Sequence, residues 1–354
     1  MLDLGLCLES DSGRFWQLFD RDYHRFKAPR TDRECTLSIS HRSSPSPPTL
    51  SIDDELISLE GHLDPDSYVY QRVLRALFEK MEDFIILHAG AAGKEGRALI
   101  ITGPPRSGKS TLTLELIKRG FGFYTDDICP VHRRTGLVHP FPRSPWIKHD
   151  GGGGSPIRVP ELRDGKLPFE VEALGAPVET APGRPIGLIC LDHGARGPSA
   201  CTVRLALKKE RDEPILADLR KIATLNLERI FEDVSEWRIE YPLGQGLTAR
   251  IQQLLEKHKD RIWNAFREDR IEPDFSSEPI VAPLSTDAAA FRLLRELKQG
   301  LPGQSVGAPA RSPGQLFMAL NRLLGPIPCH RLRVGTLDTM ADLAIAVFEK
   351  AGSP

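Results

Sequence analysis

Eight residues constrain this chain more than any other stretch. They read GPPRSGKS at 103–110 and match the phosphate-binding pattern G-x-x-x-x-G-K-[ST]. Residues 98–102 (ALIIT) are a short apolar run ending at this loop, and residues 111–119 have the periodicity of a helix directly after it. A strand, a loop of converging backbone N–H groups and a helix N-terminus together make a site for a polyphosphate.

Each loop residue has a distinct role. Gly103 and Gly108 permit backbone conformations and close approach that a side chain would block. Lys109 bridges the outer phosphates as a point charge, and the Ser110 hydroxyl holds Mg²⁺. Arg106, Ser107 and Thr111 complete the expected nucleotide-binding set, and Asp126 joins Ser110 as an expected metal ligand. Pro105 has no N–H, so one phosphate donor is missing, while Arg106 adds a charged one.

Two further features stand near the loop. Residues 121–124 read as a short strand that delivers Asp126 and Asp127; a carboxylate there holds magnesium or orients the attacking group, or is an ordinary turn residue. Side chains alternate in an extended segment, so the two cannot point the same way. His88 ends the apolar run 84–87 at the same edge as the loop, as a catalytic or a structural residue. A rival lies at 188–192 (LICLD), where an apolar strand ending in Asp192 fits an ordinary P-loop NTPase with Asp192 on the metal.

The chain has 354 residues, 40% apolar and 27% charged, which is globular composition. A formal net charge of −1 offers no global field for nucleic acid or an anionic membrane. Six scattered cysteines without a C-x-x-C pair argue against a zinc site and a disulfide scaffold. With no export signal and no apolar run near membrane-spanning length, the expected location is cytoplasmic.

The pattern elsewhere is mixed α/β. Residues 1–66 read as a small β-rich extension, with strands at 36–40 and 50–52, and 67–354 as one domain around the phosphate loop with loop-rich insertions at about 128–185 and 267–313. A helix from Ser67 is followed by the strand 84–87, and residues 89–97 read as a small-residue turn, so that 84–87 and 98–102 form a hairpin or lie in one sheet. Strands are expected at 186–191, 203–207 and 329–334, and helices at 215–231, 247–266, 287–298, 316–324 and 339–349. The charged stretch 256–270 reads as an exposed helix. Residues 273–283 read as a connection, 300–313 as a Gly/Pro-rich loop, and Gly151 to Gly154 as a lid or a solvent loop. Arg143, Lys148, Arg331 and Arg333 are phosphate or acidic-substrate contacts, or simply part of a solvated face.

Taken together, His88, GPPRSGKST, LTLELIKRG and Asp126-Asp127 resemble the kinase core of bacterial HPr kinase/phosphorylase, and more closely the related stand-alone kinases, some of which sit in peptide-modification operons. His88 lies twenty-one positions before Lys109 and Asp127 eighteen after it, the spacing of that family. A looser likeness covers PFPRSPWIK at 140–148 and the C-terminal strand and helix. The resemblance implies the mixed-sheet fold shared with phosphoenolpyruvate carboxykinase. It implies Asp127 as general base toward a Ser or Thr hydroxyl of a peptide or protein, and His88 assisting near the γ-phosphate. ATP and Mg²⁺ are the implied cofactors. The family's phosphorylase signature, a second metal-binding Glu and its N-terminal domain are not recognisable here.

The expected function is therefore an ATP- and Mg²⁺-dependent serine/threonine kinase. A nucleotide-binding sensor or scaffold, an ordinary P-loop NTPase and a small-molecule kinase are the alternatives, and homo-oligomerisation is left open.

Overall fold

The computed structural model describes residues 5–26, 37–44, 47–60, 65–148, 166–193, 200–207, 213–222, 226–229, 236–243, 246–270, 273–300 and 313–352. In chain order the elements are β1 (Leu6–Ser10), α1 (Gly13–Tyr23), β2 (Leu37–Arg42), β3 (Thr49–Ile52), β4 (Glu55–Ser58), α2 (Pro65–Lys80), β5 (Phe84–Leu87), β6 (Ala89–Lys94), β7 (Arg97–Thr102), α3 (Lys109–Lys118), β8 (Gly122–Thr125) and β9 (Cys129–His132). They continue with β10 (Trp146–Lys148), β11 (Lys166–Pro168), β12 (Arg184–Asp192), β13 (Ala200–Leu207), α4 (Glu213–Arg220), β14 (Asn226–Arg229), β15 (Glu236–Pro242), α5 (Leu247–Lys257), β16 (Ile262–Arg270), β17 (Ile280–Leu284), α6 (Thr286–Gly300), α7 (Pro313–Leu324), β18 (Cys329–Arg333) and α8 (Leu337–Gly352). The fold is mixed α/β, with parallel and antiparallel pairing in one sheet.

That sheet has six strands in the order β17-β18-β12-β7-β6-β8. Because successive side chains in a strand point to opposite faces, Ala98 and Ile100 of β7 enter one core, with Ala289, Ala290 and Leu293 of α6 and Leu320, Leu323 and Leu324 of α7. Leu99 and Ile101 enter the other, with Leu112, Leu116 and Ile117 of α3 and Met340, Ala344, Val347 and Phe348 of α8. The near-continuous apolar run of β7 is thus explained by burial on both faces.

The N-terminal residues form a four-stranded sheet in the order β1-β2-β3-β4. Helix α1 starts where the Ser12 hydroxyl accepts a hydrogen bond from the Phe15 N–H at 3.1 Å. Its Phe15, Leu18, Phe19 and Tyr23 share a core with α2, Phe84, Ile86, Ile128 and Phe141. Residues Met1–Asp192 and Asp274–Pro354 make one compact unit and His193–Pro273 a second. The second unit is an antiparallel sheet, β14-β15-β13-β16, whose core includes Ile215, Leu216 and Leu219 of α4 and Ile251 of α5.

Several expectations need correction. Residues 89–94 are not a turn but strand β6, paired on both sides, and only Glu95-Gly96 turns. Strand β5 does not pair with β7; its partner is β9, from Phe84 opposite His132 to Leu87 opposite Cys129. The helices expected at 215–231 and 247–266 stop at Arg220 and Lys257, and β14 and β16 follow, drawn into the sheet by β15 and β13. The charged stretch 256–270 is accordingly mostly strand, and the connection 273–283 contains the start of β17. Helix α1 has no counterpart in the sequence expectation. Gly151 to Gly154 and residues 301–312 lie outside the described residues. Cys129, Cys190, Cys201 and Cys329 are buried and outside any disulfide, whereas Cys7 is disulfide-bonded. Among the described residues no helix is long and apolar enough to cross a membrane.

Candidate active site

Sheet register decides which side chains meet. Ala89 pairs antiparallel with Thr102, so His88 stands at the edge where β7 gives way to the loop. The Thr102 hydroxyl donates to the His88 carbonyl at 3.2 Å and fastens the two. Ala91 pairs antiparallel with Thr125, so β8 ends at the same edge and delivers Asp126 and Asp127 there. Cys190 pairs in parallel with Thr102, which brings Asp192 to that edge as well.

The loop itself is shaped by its glycines. Gly103 has φ 151°, and a methyl there would stand 2.8 Å from Leu191 Cβ. Gly108, at φ 88°, precedes α3 and offers no side chain to cap the first N–H groups of the helix. Lys109 is buried and folds back on the loop, donating to the carbonyls of Gly103 at 2.8 Å and Pro104 at 3.3 Å. Arg106 is exposed at φ 65°, Ser107 is buried, Ser110 is half-buried and Thr111 is exposed. Phe275, 47% exposed, rests its ring against Gly108, 3.3 Å from where a Cβ would be.

The paired aspartates diverge because the backbone turns between them. The Ile128 N–H donates to the Asp126 carbonyl at 2.8 Å, with Asp127 at the centre of this three-residue turn at φ 64°. Left-handed backbone at a non-glycine residue stores roughly 1 kcal/mol or more, and here it sends one carboxylate inward and the other outward.

Asp126 is 2% exposed, and among the described residues neither of its oxygens has a hydrogen-bond partner. Ser107 Oγ and Thr113 Oγ1 are likewise buried without partners among the described residues. Burial first, and then the charge of Asp127, push the Asp126 carboxyl up to about 7, against the opposing pull of Ser110, Lys109 and Arg143. Ser110 is near enough to act on it without completing a hydrogen bond. A desolvated carboxylate beside hydroxyls is a fitting oxygen donor set for a hard cation such as Mg²⁺, while the adjoining helix N-terminus favours the phosphates that such a cation accompanies. Ser110 and Asp126 are therefore the residues that would hold one. Among the described residues, the cluster with ligand spacing, His24 with Glu170 and Glu172, lies elsewhere and has its two glutamates bound to Arg25.

Asp127 is 37% exposed on its side chain and lies 3.4 Å from His88 Nε2. Burial would raise its pKa, but the His88 hydrogen bond and charge, then Arg143 and Lys109, hold it below the usual carboxylate range. Asp127 is therefore the ionised partner and Asp126 the one that keeps a proton toward neutrality. Asp192, by contrast, is committed to cations of the scaffold: its Oδ2 lies 3.0 Å from Arg292 and 4.0 Å from Arg331. Arg333 donates to the Glu278 carbonyl. Arg143 stands apart from these in acting on both Asp126 and Asp127.

Two site residues had no sequence signal. A methyl on Gly90 would stand 2.3 Å from Thr113 Oγ1 and 3.5 Å from Asp126 Oδ1, so β6 is open at this point to let α3 and Asp126 approach. Thr113, the third residue beyond Ser110, belongs to the motif's helix, where the pattern assigns it nothing. Gly90→Ala is expected to lower the thermal midpoint by about 3 °C or more and to weaken ATP binding in magnesium. Gly13→Ala, which meets nothing within 4 Å, serves as the neutral control in the same melts.

No family model matches this sequence, and no curated protein matches it. Among solved structures the chain is similar to the HPr(Ser) kinase/phosphatase from Coxiella burnetii, at 18% identity, covering 49% of this chain and 96% of that one, with a TM-score of 0.23. That likeness is too distant in shape to carry a functional argument.

Proposed function

We propose that this protein is an ATP- and Mg²⁺-dependent kinase that transfers the γ-phosphoryl group to a Ser or Thr hydroxyl of a peptide or protein. The observation that carries this is the convergence at one sheet edge of the phosphate loop, a buried carboxylate unpartnered among the described residues and an ionised carboxylate on His88. The first N–H groups of α3 and the Lys109 ammonium would receive the phosphates. Ser110 and Asp126 would hold Mg²⁺, which when bound neutralises phosphate charge. Asp127 is the free carboxylate acceptor, and His88 orients it.

In the transfer, the Asp127 carboxylate takes the proton of the acceptor hydroxyl. The hydroxyl oxygen forms the new bond to the γ-phosphorus, and the bond from that phosphorus to the β,γ-bridging oxygen breaks with its electron pair leaving on ADP. The protein's own contribution is position and charge. Pro105, which offers no N–H, and the strained Arg106 favour a second reading, a nucleotide sensor without turnover.

Incubation with γ-labelled ATP, magnesium and Ser- or Thr-containing peptides separates these. Label on a hydroxyl residue is the expected result. ATP binding with no transfer to any peptide or metabolite would support the sensor, and label only on a metabolite a small-molecule kinase.

A further inference from the structure

The N-terminal helix reaches the candidate site through one buried carboxylate. Asp22, near the end of α1, is fully buried. It accepts hydrogen bonds from the Tyr70 hydroxyl, from Trp146 Nε1 at 3.1 Å, from Arg21 Nε at 3.4 Å and from an Arg143 terminal nitrogen at 3.2 Å. Its backbone carbonyl accepts from the Ser144 N–H at 3.1 Å, and Arg25 donates to the Ser144 hydroxyl at 2.8 Å. The segment bearing Arg143 is therefore stapled to α1 through Arg143 itself and the residues that follow it.

The other end of that segment is fixed to β8. Phe141 forms a parallel bridge with Thr125, its N–H donating to the Tyr124 carbonyl at 2.9 Å. Two residues beyond this bridge lie Arg143 on one chain segment and Asp127 on the other. The Phe141 ring sits between Tyr23 and Phe26, with centroids 6.2 and 4.8 Å away, which locks the bridge to α1. Arg143 Nε is buried and has no acceptor among the described residues. A buried guanidinium donor without an acceptor among the described residues, acting on the two carboxylates that stand at the sheet edge where the loop begins, is arranged for an anion that arrives with the substrate.

We infer that Arg143 is a catalytic guanidinium of this site, contacting the phosphoryl group in transit between loop and acceptor, and that Asp22 on α1 is its positioning residue. The inference rests on the phosphotransfer function proposed above. It ties the N-terminal residues to the chemistry, because without Asp22 the Arg143 side chain loses the carboxylate it shares with Tyr70 and Trp146. Charge on Arg143 also supports the ionised state of Asp127. A guanidinium placed in this way strengthens most when negative charge spreads over the transferring group.

The test needs no acceptor. Affinity for ADP with magnesium is measured calorimetrically, with and without aluminium fluoride, a stand-in for the transferring phosphoryl group. In the unaltered protein the fluoride tightens ADP. In Arg143→Gln that tightening falls at least about tenfold while affinity for ADP alone stays within about threefold. Asp22→Asn loses part of it, and Arg143→Lys, which keeps a cation for Asp22 and so protects folding, recovers part. Full tightening in Arg143→Gln overturns the inference, as does an equal loss of ADP affinity in both arms, which is the mark of a structural role. ADP binding without any tightening in the unaltered protein also overturns it while leaving nucleotide binding in place. No ADP binding at all brings down the function on which it rests.

Discussion

Asp127→Asn is expected to lower phosphotransfer by about 10³-fold while leaving affinity for ATP with magnesium within about threefold. Asn tolerates the left-handed backbone at φ 64° that this position requires, so the turn that separates the two carboxylates survives and only the proton acceptor is lost. Asp192→Asn supplies the contrast. It removes a carboxylate already paired to Arg292, and exposed or half-exposed pairs contribute about 1 kcal/mol or less. Turnover in that variant should stay within about threefold. If single-turnover transfer from γ-labelled ATP tolerates both substitutions equally, Asp127 is not the base and the kinase assignment fails.

The second large effect runs in opposite directions in the free and the loaded protein. Asp126 is buried without a hydrogen-bond partner among the described residues, so Asp126→Asn removes an expensive charge and should raise the thermal midpoint of the nucleotide-free protein at about pH 8 by about 3 °C or more. The same substitution should abolish the extra stabilisation that magnesium adds to ATP. The pH dependence follows from the raised pKa. Between the ordinary carboxyl range and about 7 the folded state binds a proton that the unfolded state has released, so stability of the free protein falls as pH rises through that window and levels off above it. Asp127, held low, contributes stability that is lost only as pH falls through and below the ordinary carboxyl range. The fall between about pH 5 and 7 therefore belongs to Asp126, and melts of the Asn variant should lack it.

Much of this edge was legible because loop chemistry is local. The strand, loop and helix around GPPRSGKS follow from residue types at fixed spacing, and β7 and α3 lie where the pattern requires. His88 and Asp127 could be named from their distances to Lys109, but what each touches depends on β6. That strand was unreadable for a physical reason. AGAAGK carries the small residues of a turn, yet smallness is what lets neighbours close in: a methyl on Gly93 would stand 2.0 Å from the Arg97 carbonyl oxygen and 2.9 Å from the Tyr124 ring. Tertiary pairing also overrode helical periodicity at β14 and β16, where β15 and β13 offered ladders to join. Asp22 was invisible because a buried hydrogen-bonding role leaves no spacing signature, and Thr113 because only the close approach of Gly90 brings its hydroxyl beside Asp126; what α1 does depends on contacts far along the chain, such as Asp22 with Arg143.

The most direct test of the whole account is the position of the metal. A crystal of the protein with a non-hydrolysable ATP analogue and manganese, measured at the manganese edge, should show one anomalous peak bound by Ser110 and Asp126, with the β- and γ-phosphates on the loop and Lys109 turned from its carbonyls toward them. A peak on Asp192, or phosphates bound away from residues 103–110, would contradict it.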